Sequence, residues 1–314
     1  MNIGFLCDIP LSNYLTNPEE YAYLHGRHSS TGYYYWILKN ANVDNVSMVG
    51  PGDDLTKFDV IVFHYDNKEY IDHGAYKTIQ VVTDRPCVKG CDLYIAANEN
   101  ITSPRLSRES ITRYGIENTT NTWIDNKDQW VFIHYPPTHN IKKCDPMWPP
   151  VNYKFVGRRH TLIHELSDSK YIDDMKALGI NIIIDNDNDN NVGDEHVYFC
   201  IRPVTARSKS TGLDNNSGRY GHKTANRLYQ TWYMEVPGIF NASPEMMKLR
   251  DDELDFLIAN DVDEFTTQAI RLREDKELYY NMVERCKKRQ QNNPYADMSI
   301  VVNQWIHAFK LLNI

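Results

Sequence analysis

The sequence has few cysteines and no long apolar run. Among its six cysteines only Cys87 and Cys91 lie close together, and no second pair completes a structural zinc site, so we expect reduced thiols. No segment approaches the roughly 20 apolar residues that cross a bilayer. The apolar segment from Ile3 to Cys7 is too short for the core of an export signal and ends at Asp8. These absences predict a soluble cytoplasmic protein with no transmembrane segment.

The sequence also lacks a dinucleotide motif and a basic overall charge. No Gly-x-Gly-x-x-Gly follows the first apolar segment, which disfavours a Rossmann-type NAD(P) oxidoreductase, although that class stays an alternative. The formal net charge of -8 argues against a nucleic-acid surface. Basic residues instead gather locally, at Arg202, Arg207, Lys209, Arg219, Lys223 and Arg227. A cationic cluster in an acidic protein favours a small anionic ligand.

Short apolar runs alternate with polar loops in both halves of the chain, which is typical of α/β domains with buried parallel strands. In the first half these runs predict strands that include Val46–Val49, Val60–His64 and Leu93–Ala96. At 314 residues the chain exceeds the usual size of a single core. A cluster of prolines separates the halves, at Pro136, Pro137, Pro146, Pro149 and Pro150. Proline clusters favour extended backbone outside sheets. We therefore predict a first domain at 1–135, a linker at 136–151, a second domain at 152–296 and a final helix at 297–314.

Residues 218–249 carry the most specific local pattern: a polar loop, a helix, a Val-Pro turn, a short strand and a second loop. The helix is predicted to begin near Thr224, with Lys223, Asn226 and Arg227 at its first turns. Free backbone N–H groups and the positive end of the helix dipole, beside such cations, form an anion site suited to a diphosphate. An ordinary surface helix with solvated cations would show the same spacing.

This stretch resembles the nucleotide-sugar site of GT-B glycosyltransferases, in which Val236-Pro237 and Ser243-Pro244-Glu245 would occupy the turn and the second loop. Upstream, Phe155-Val156-Gly157-Arg158 resembles the strand and Gly-Arg pair that open the second domain of that family. The resemblance covers about residues 150 to 290. It implies two Rossmann-like α/β domains that face each other across a cleft, with a C-terminal helix that crosses back to the first domain.

The resemblance further implies transfer of a sugar from a nucleotide-diphosphate sugar to a hydroxyl of a glycan or similar acceptor, without a metal and without a cofactor other than the donor. Arg158 and Lys223 would neutralise the pyrophosphate, and Glu245 would accept the ribose hydroxyls. The full implied donor-binding set is Gly157, Arg158, Arg202, Lys223, Thr224, Asn226, Arg227, Ser243 and Glu245.

The sequence departs from the resembled pattern at three positions. Many retaining members carry two glutamates before the Val-Pro turn, and His222 and Gln230 stand there instead. The usual glycine before Val-Pro is Glu235. Inversion and retention at the anomeric carbon therefore both stay open. A non-catalytic module that binds a nucleotide sugar or a glycan is the alternative function.

Two segments imitate the Asp-x-Asp metal motif, Asp185–Asp189 and Asp261-Val262-Asp263, and the second is better interpreted as the N-cap of the helix that follows it. The run from Asp185 to Asp189 alternates Asp and Asn, but a calcium loop that began at Asp185 would need glycine and glutamate where Asn190 and His196 stand. The segment is better interpreted as a solvated turn after a strand. We predict no metal site.

Candidates for a catalytic base come from the carboxyl ends of the strands in the first domain, where open α/β domains bind ligands. Asp8 follows the first strand and Asp84 follows a later one, whereas His28 lies in the polar loop before the first helix. An inverting reaction needs such a group to remove the proton from the acceptor hydroxyl. A loop cap or a solvated side chain explains the same positions without catalysis.

Overall fold

The computed structural model describes residues 1–7, 26–82, 88, 90–96, 130–134, 143–155, 162–184, 195–201 and 225–312. The chain divides into two compact units. One comprises the described residues of Met1–Asn140 and Asp297–Ile314, and the other comprises those of Ile141–Tyr220 and Ala225–Ala296. The α-helices of the described chain are α1 (Gly26–Asn40), α2 (Ser169–Ala177), α3 (Asn226–Met234), α4 (Pro244–Leu249), α5 (Val262–Glu274), α6 (Lys276–Lys288) and α7 (Ser299–Leu311).

The first unit is built on a six-stranded parallel sheet in the order β2-β1-β3-β4-β5-β6. The first five strands are short and largely buried, as expected when both faces of a parallel sheet are covered, whereas the described side chains of the sixth strand, at the edge, are half-buried. The strands are β1 (Ile3–Leu6), β2 (Val46–Val49), β3 (Val60–His64), β4 (Lys77–Val82), β5 (Leu93–Ala96) and β6 (Trp130–Phe132).

The last helix of the chain belongs to the first unit. Helices α1 and α7 contribute Tyr34, Leu38, Trp305 and Phe309 to the core on one face of the sheet. Trp305 is fully buried, and its ring lies 5.5 Å from that of Phe5 and 5.1 Å from that of Tyr34, centroid to centroid. The predicted return of the C-terminal helix to the first domain is confirmed.

The second unit has a five-stranded parallel sheet in the order β11-β10-β9-β7-β8. If β7 is counted as the first strand of this sheet, the order of its strands is 2-1-3-4-5. The first unit has the same order with one further strand at its edge. Both sheets are therefore doubly wound, with the switch point between their first and third strands. The strands are β7 (Asn152–Phe155), β8 (Asn181–Ile183), β9 (Val197–Cys200), β10 (Gly238–Phe240) and β11 (Leu257–Ile258).

One local expectation is wrong. The segment that contains His28 was expected to be a loop, but helix α1 already begins at Gly26. Gly, His and Ser have modest helix propensities, which is why the sequence favours a loop there. Burial of Tyr34 and Leu38 on the same helix stabilises it through tertiary packing, and such packing supplies most helical stability in proteins.

Candidate functional site

The switch point of the second sheet lies between β7 and β9, which pair from Tyr153 opposite Val197 to Phe155 opposite Phe199. Ligands of open α/β sheets lie beyond the carboxyl ends of the strands at such a point. In the sequence, Gly157 and Arg158 come soon after β7, and Arg202 comes soon after β9. These three residues, together with Lys223 and Thr224, lie outside the described residues. Their role in donor binding stays a prediction.

Helix α3 begins at Asn226, slightly later than the predicted start near Thr224. Its N-cap residue, Ala225, makes no side-chain cap hydrogen bond, and the first turn contains no acidic residue. Because α3 connects β9 to its parallel neighbour β10, it must begin near the carboxyl edge of the sheet. Asn226 and Arg227 are therefore located near that edge, and both are half-buried.

The far end of α3 explains a departure noted in the sequence. Glu235 is the C-cap, with φ 61° and ψ 37°, in the left-handed region that glycine adopts without a steric penalty. Its carboxylate pairs with the Lys143 ammonium. A glycine at this position would adopt the same backbone conformation without strain.

At the end of β10, polar residues tie the loop to the sheet. The Asn241 side-chain amide donates to the Ala259 carbonyl at 3.3 Å. Ser243 is buried and caps α4, with its Oγ accepting from the Met246 N–H at 3.4 Å. Glu245 lies in the first turn of α4, and its side chain is outside the described part. Ser243 thus has a structural role, and donor contacts by Ser243 and Glu245 stay predictions.

Sequence reasoning did not identify a network behind α3. The Trp232 indole N–H donates to the Asp255 carbonyl at 3.3 Å, and the Arg289 guanidinium lies 5.0 Å from the Trp232 ring centre. Arg289 also binds the Asp255 carboxylate through two contacts of 2.7 Å. The network holds α3 against the rest of the second unit. Its members are far apart in sequence, so no local pattern reveals it.

The protein is similar to known proteins in structure and not detectably in sequence. No family model and no curated protein matches the sequence. Anabaena HepE, solved in complex with UDP and glucose, is 9% identical, and the match covers 100% of both chains with a TM-score of 0.54. The lipopolysaccharide outer core galactosyltransferase WaaB is 11% identical, with 98% of this chain and 99% of that chain covered and a TM-score of 0.54.

A third solved structure agrees. AviGT4, a glycosyltransferase involved in avilamycin A biosynthesis, is 12% identical, with 100% of this chain and 98% of that chain covered and a TM-score of 0.52. The chain has the GT-B fold. Identities this low establish the fold alone, and the predicted fold class is thereby confirmed.

In the first unit, buried polar groups lie at or beside the carboxyl ends of β1 and β3. The Cys7 thiol lies 3.5 Å from the Thr31 hydroxyl, and the Asn67 side-chain amide donates to the Leu6 carbonyl at 3.1 Å. His64, at the end of β3, is also buried. Thr31 and Asn67 carry no sequence signal. They are isolated polar residues, and only the sheet order places them near the switch point between β1 and β3.

The three candidate bases stay predictions. Asp8 and Asp84 lie outside the described residues. His28 belongs to α1, and only its backbone is described. The structure therefore does not bring the three together or separate them.

Among the described cysteines, Cys7, Cys91, Cys144, Cys200 and Cys286 are free and buried. Burial raises the pKa of the Cys91 and Cys144 thiols to about 12, so both are protonated near neutral pH. Among the described residues no group of three or more His, Cys, Asp or Glu could hold a metal ion. In the same ranges no helix is long and apolar enough to cross a membrane.

Proposed function

We propose that the protein is a glycosyltransferase that moves a sugar from a nucleotide-diphosphate sugar to a hydroxyl acceptor. The observation that carries the proposal is the match in fold over essentially the full length of both chains, which includes one structure with bound UDP and glucose and one galactosyltransferase. Fold alone does not determine function. The residues that follow the switch-point strands, and the start of α3, supply the chemistry.

The second unit would bind the donor. Arg158 and Lys223 would neutralise the pyrophosphate, with Arg227 beside them, and Thr224 and Asn226 would donate hydrogen bonds at the start of the helix. The departing diphosphate gains negative charge in the transition state. Cations and N–H groups already in place stabilise that charge and lower the barrier without a metal.

The first unit would bind the acceptor, which is a glycan or another molecule with a free hydroxyl. In an inverting reaction Asp8, Asp84 or His28 would take the hydroxyl proton as the oxygen attacks the anomeric carbon. The C–O bond to the diphosphate breaks as the new glycosidic bond forms. In a retaining reaction the departing diphosphate itself is a base available on the same face of the sugar.

Binding of UDP-, GDP-, ADP- and dTDP-sugars, measured by calorimetry with Mg²⁺ and with EDTA, tests the proposal. We expect one donor class to bind equally well in both buffers, and Arg158→Ala or Lys223→Ala to remove most of that binding. Hydrolysis or transfer of the bound sugar would then establish catalysis. Binding without turnover across an acceptor panel would identify the alternative, a non-catalytic nucleotide-sugar module. Absence of binding by every donor would refute both.

A further inference from the structure

The segment that leads from the first unit into β7 is tied to a histidine of the second unit. We refer to residues 143–151, which precede β7, as the strap. The N–H groups of Val151 and of Asn152, the first residue of β7, both donate to the Nδ1 atom of His196, at 2.9 and 3.2 Å. His196 is 7% exposed and comes directly before β9. One buried ring nitrogen therefore receives both backbone donors at the end of the strap.

This geometry fixes the protonation state of the His196 ring. A backbone N–H can only donate, so Nδ1 must present its lone pair to Val151 and Asn152 and carries no proton. A protonated imidazole has an N–H at both ring nitrogens and accepts no hydrogen bond. Uptake of a proton at Nδ1 would therefore break both bonds at once and leave two buried backbone donors facing a third.

Other contacts hold the first part of the strap. The Cys144 N–H donates to the Met234 carbonyl at 3.1 Å, and the Lys276 ammonium lies 5.5 Å from the centre of the Trp148 ring. The Cys144 thiol lies 3.9 Å from the Glu195 carboxylate, and burial raises the pKa of this thiol to about 12, so it stays protonated. These contacts are several residues before the end of the strap, which is held in part through the histidine.

Charged and titratable groups face this part of the second unit from several elements. Lys154 of β7 and Glu195 form a buried ion pair at 2.8 Å. From α6 the Tyr279 hydroxyl donates to the His196 carbonyl at 3.3 Å, and burial raises the pKa of Tyr279, so it stays neutral. From α5 the Arg273 guanidinium donates to a strap carbonyl at 3.4 Å. Among ordinary side chains only histidine changes its charge between about pH 5 and pH 8.

We propose that His196 is a pH-sensitive latch, which holds the strap while its ring is neutral and releases it when the ring takes up a proton in mild acid. The sign follows from linkage. A histidine that has left the two N–H donors has an ordinary pKa near 6.5, so protons favour the released state as the pH falls below that value. Attachment is strongest above this pH and weakens progressively below it. The inference goes beyond the proposed function and does not depend on it.

Hydrogen exchange at the Val151 and Asn152 amides, resolved by NMR and expressed as protection factors, tests the latch. If only the released state takes up the proton, its population rises about 10-fold between about pH 7.5 and pH 5.5. We therefore expect the protection factors of both amides to fall about 10-fold over that interval. A fall of less than twofold overturns the inference.

The amides of β9 distinguish release of the strap from unfolding of the whole unit. They should stay more strongly protected than Val151 and Asn152 at both pH values, because the sheet remains folded when the strap is released. Equal protection in β9 and at the end of the strap would show that these amides exchange only by global unfolding, and would overturn the latch.

His196→Asn is the matched variant, because the Oδ1 atom of asparagine lies nearly where Nδ1 lies and accepts the same bonds without taking up a proton in mild acid. Its protection factors at Val151 and Asn152 should not change with pH. His164→Asn, at an exposed position of the same unit, should keep the 10-fold fall. An equal fall in His196→Asn and in the unaltered protein would assign the effect to another group and overturn the inference.

A measurement on the unaltered protein covers the case in which His196→Asn does not fold. The nitrogen NMR spectrum of the imidazole at about pH 7.5 distinguishes a ring nitrogen that carries a proton from one that does not. We expect the proton of His196 on Nε2 and none on Nδ1. A proton on Nδ1 would show that the ring does not accept the two backbone bonds, and the latch would be refuted.

Discussion

Arg289 holds the carboxylate of Asp255 from two sides, with its Nε 2.7 Å from Oδ1 and its Nη2 2.7 Å from Oδ2. The Asp255 side chain is completely buried, whereas that of Arg289 is 25% exposed. The Asp251 N–H also donates to Asp255 Oδ2 at 2.7 Å. The carboxylate is therefore ionised and hydrogen-bonded behind Trp232, at the end of the helix that frames the candidate donor site.

Removing Arg289 should destabilise the second unit strongly. Arg289→Ala leaves a buried carboxylate with its backbone donors and a more distant Arg285, and we expect a loss of about 2–4 kcal/mol in the free energy of unfolding. Urea unfolding measures this. Arg271 offers a matched control, since it also binds a carboxylate with two nitrogens, at 2.9 and 3.1 Å from Glu253, but at the surface. Arg271→Ala should cost less than about 1 kcal/mol. If both variants lost the same free energy of unfolding, burial would not be the reason that the Asp255–Arg289 pair stabilises the protein.

The Asp255–Arg289 ion pair predicts that the protein is less stable in acid. Burial raises the pKa of Asp255, but the hydrogen bonds from Arg289 and Asp251 and the charges of Arg289 and Arg285 outweigh it, so the pKa lies below its ordinary value. A lowered native pKa contributes stability above the unfolded value, near 4, and that stability is lost as the pH falls through the native pKa. The melting temperature should therefore decrease once the pH is lowered below about 4. Asp255→Asn should melt lower at pH 7 and lose less on acidification; a parallel pH profile would refute this origin.

The sequence predicts the strands and helix caps better than it predicts the contacts between residues that are distant in sequence. The strands at Val46–Val49, Val60–His64 and Leu93–Ala96 lie where short apolar runs place them, because buried parallel strands need little else. Asp261 also caps α5 as its position before the helix predicts, with Oδ1 accepting from the Glu264 N–H at 2.8 Å. Such local chemistry is readable from sequence.

Contacts between distant segments are not readable in this way. Gln230 appears in the sequence only as a replacement for a glutamate, and its burial depends on how α3 packs. The Asp255–Arg289 pair joins residues on different elements, and many other arginines in the chain are equally plausible partners by sequence. Tertiary packing determines which arginine pairs with Asp255, and a single sequence does not predict that packing.

Glu235 provides a test of the backbone at the end of α3. At φ 61° a residue with a Cβ is strained by roughly 1 kcal/mol relative to glycine. Its pairing with Lys143 offsets little of that, because the Lys143 side chain is 55% exposed. Glu235→Gly should therefore be as stable as the unaltered protein or more stable by up to about 1 kcal/mol, as measured by urea unfolding.

Two further variants separate the strain from the ion pair. Glu235→Ala retains the strained backbone and loses the pair, so it should be about 1 kcal/mol less stable than Glu235→Gly. Lys143→Met loses only the pair and should change the unfolding free energy by less than about 1 kcal/mol. If the alanine variant were as stable as the glycine variant, the left-handed conformation would not be the reason for glycine at this position.

The returning helix α7 should control the stability of the first unit alone. Trp305 is fully buried between Phe5 and Tyr34, and its Cα lies on an element that follows the whole second unit in sequence. Trp305→Ala removes a large side chain from that core, and we expect a loss of about 3–5 kcal/mol. Hydrogen exchange followed by mass spectrometry should show faster exchange in β1, β3 and α1, with β7, β9 and α5 unchanged. His307→Ala, an exposed position on the same helix, should change neither region. Faster exchange in both units would show that α7 stabilises more than the sheet on which it packs.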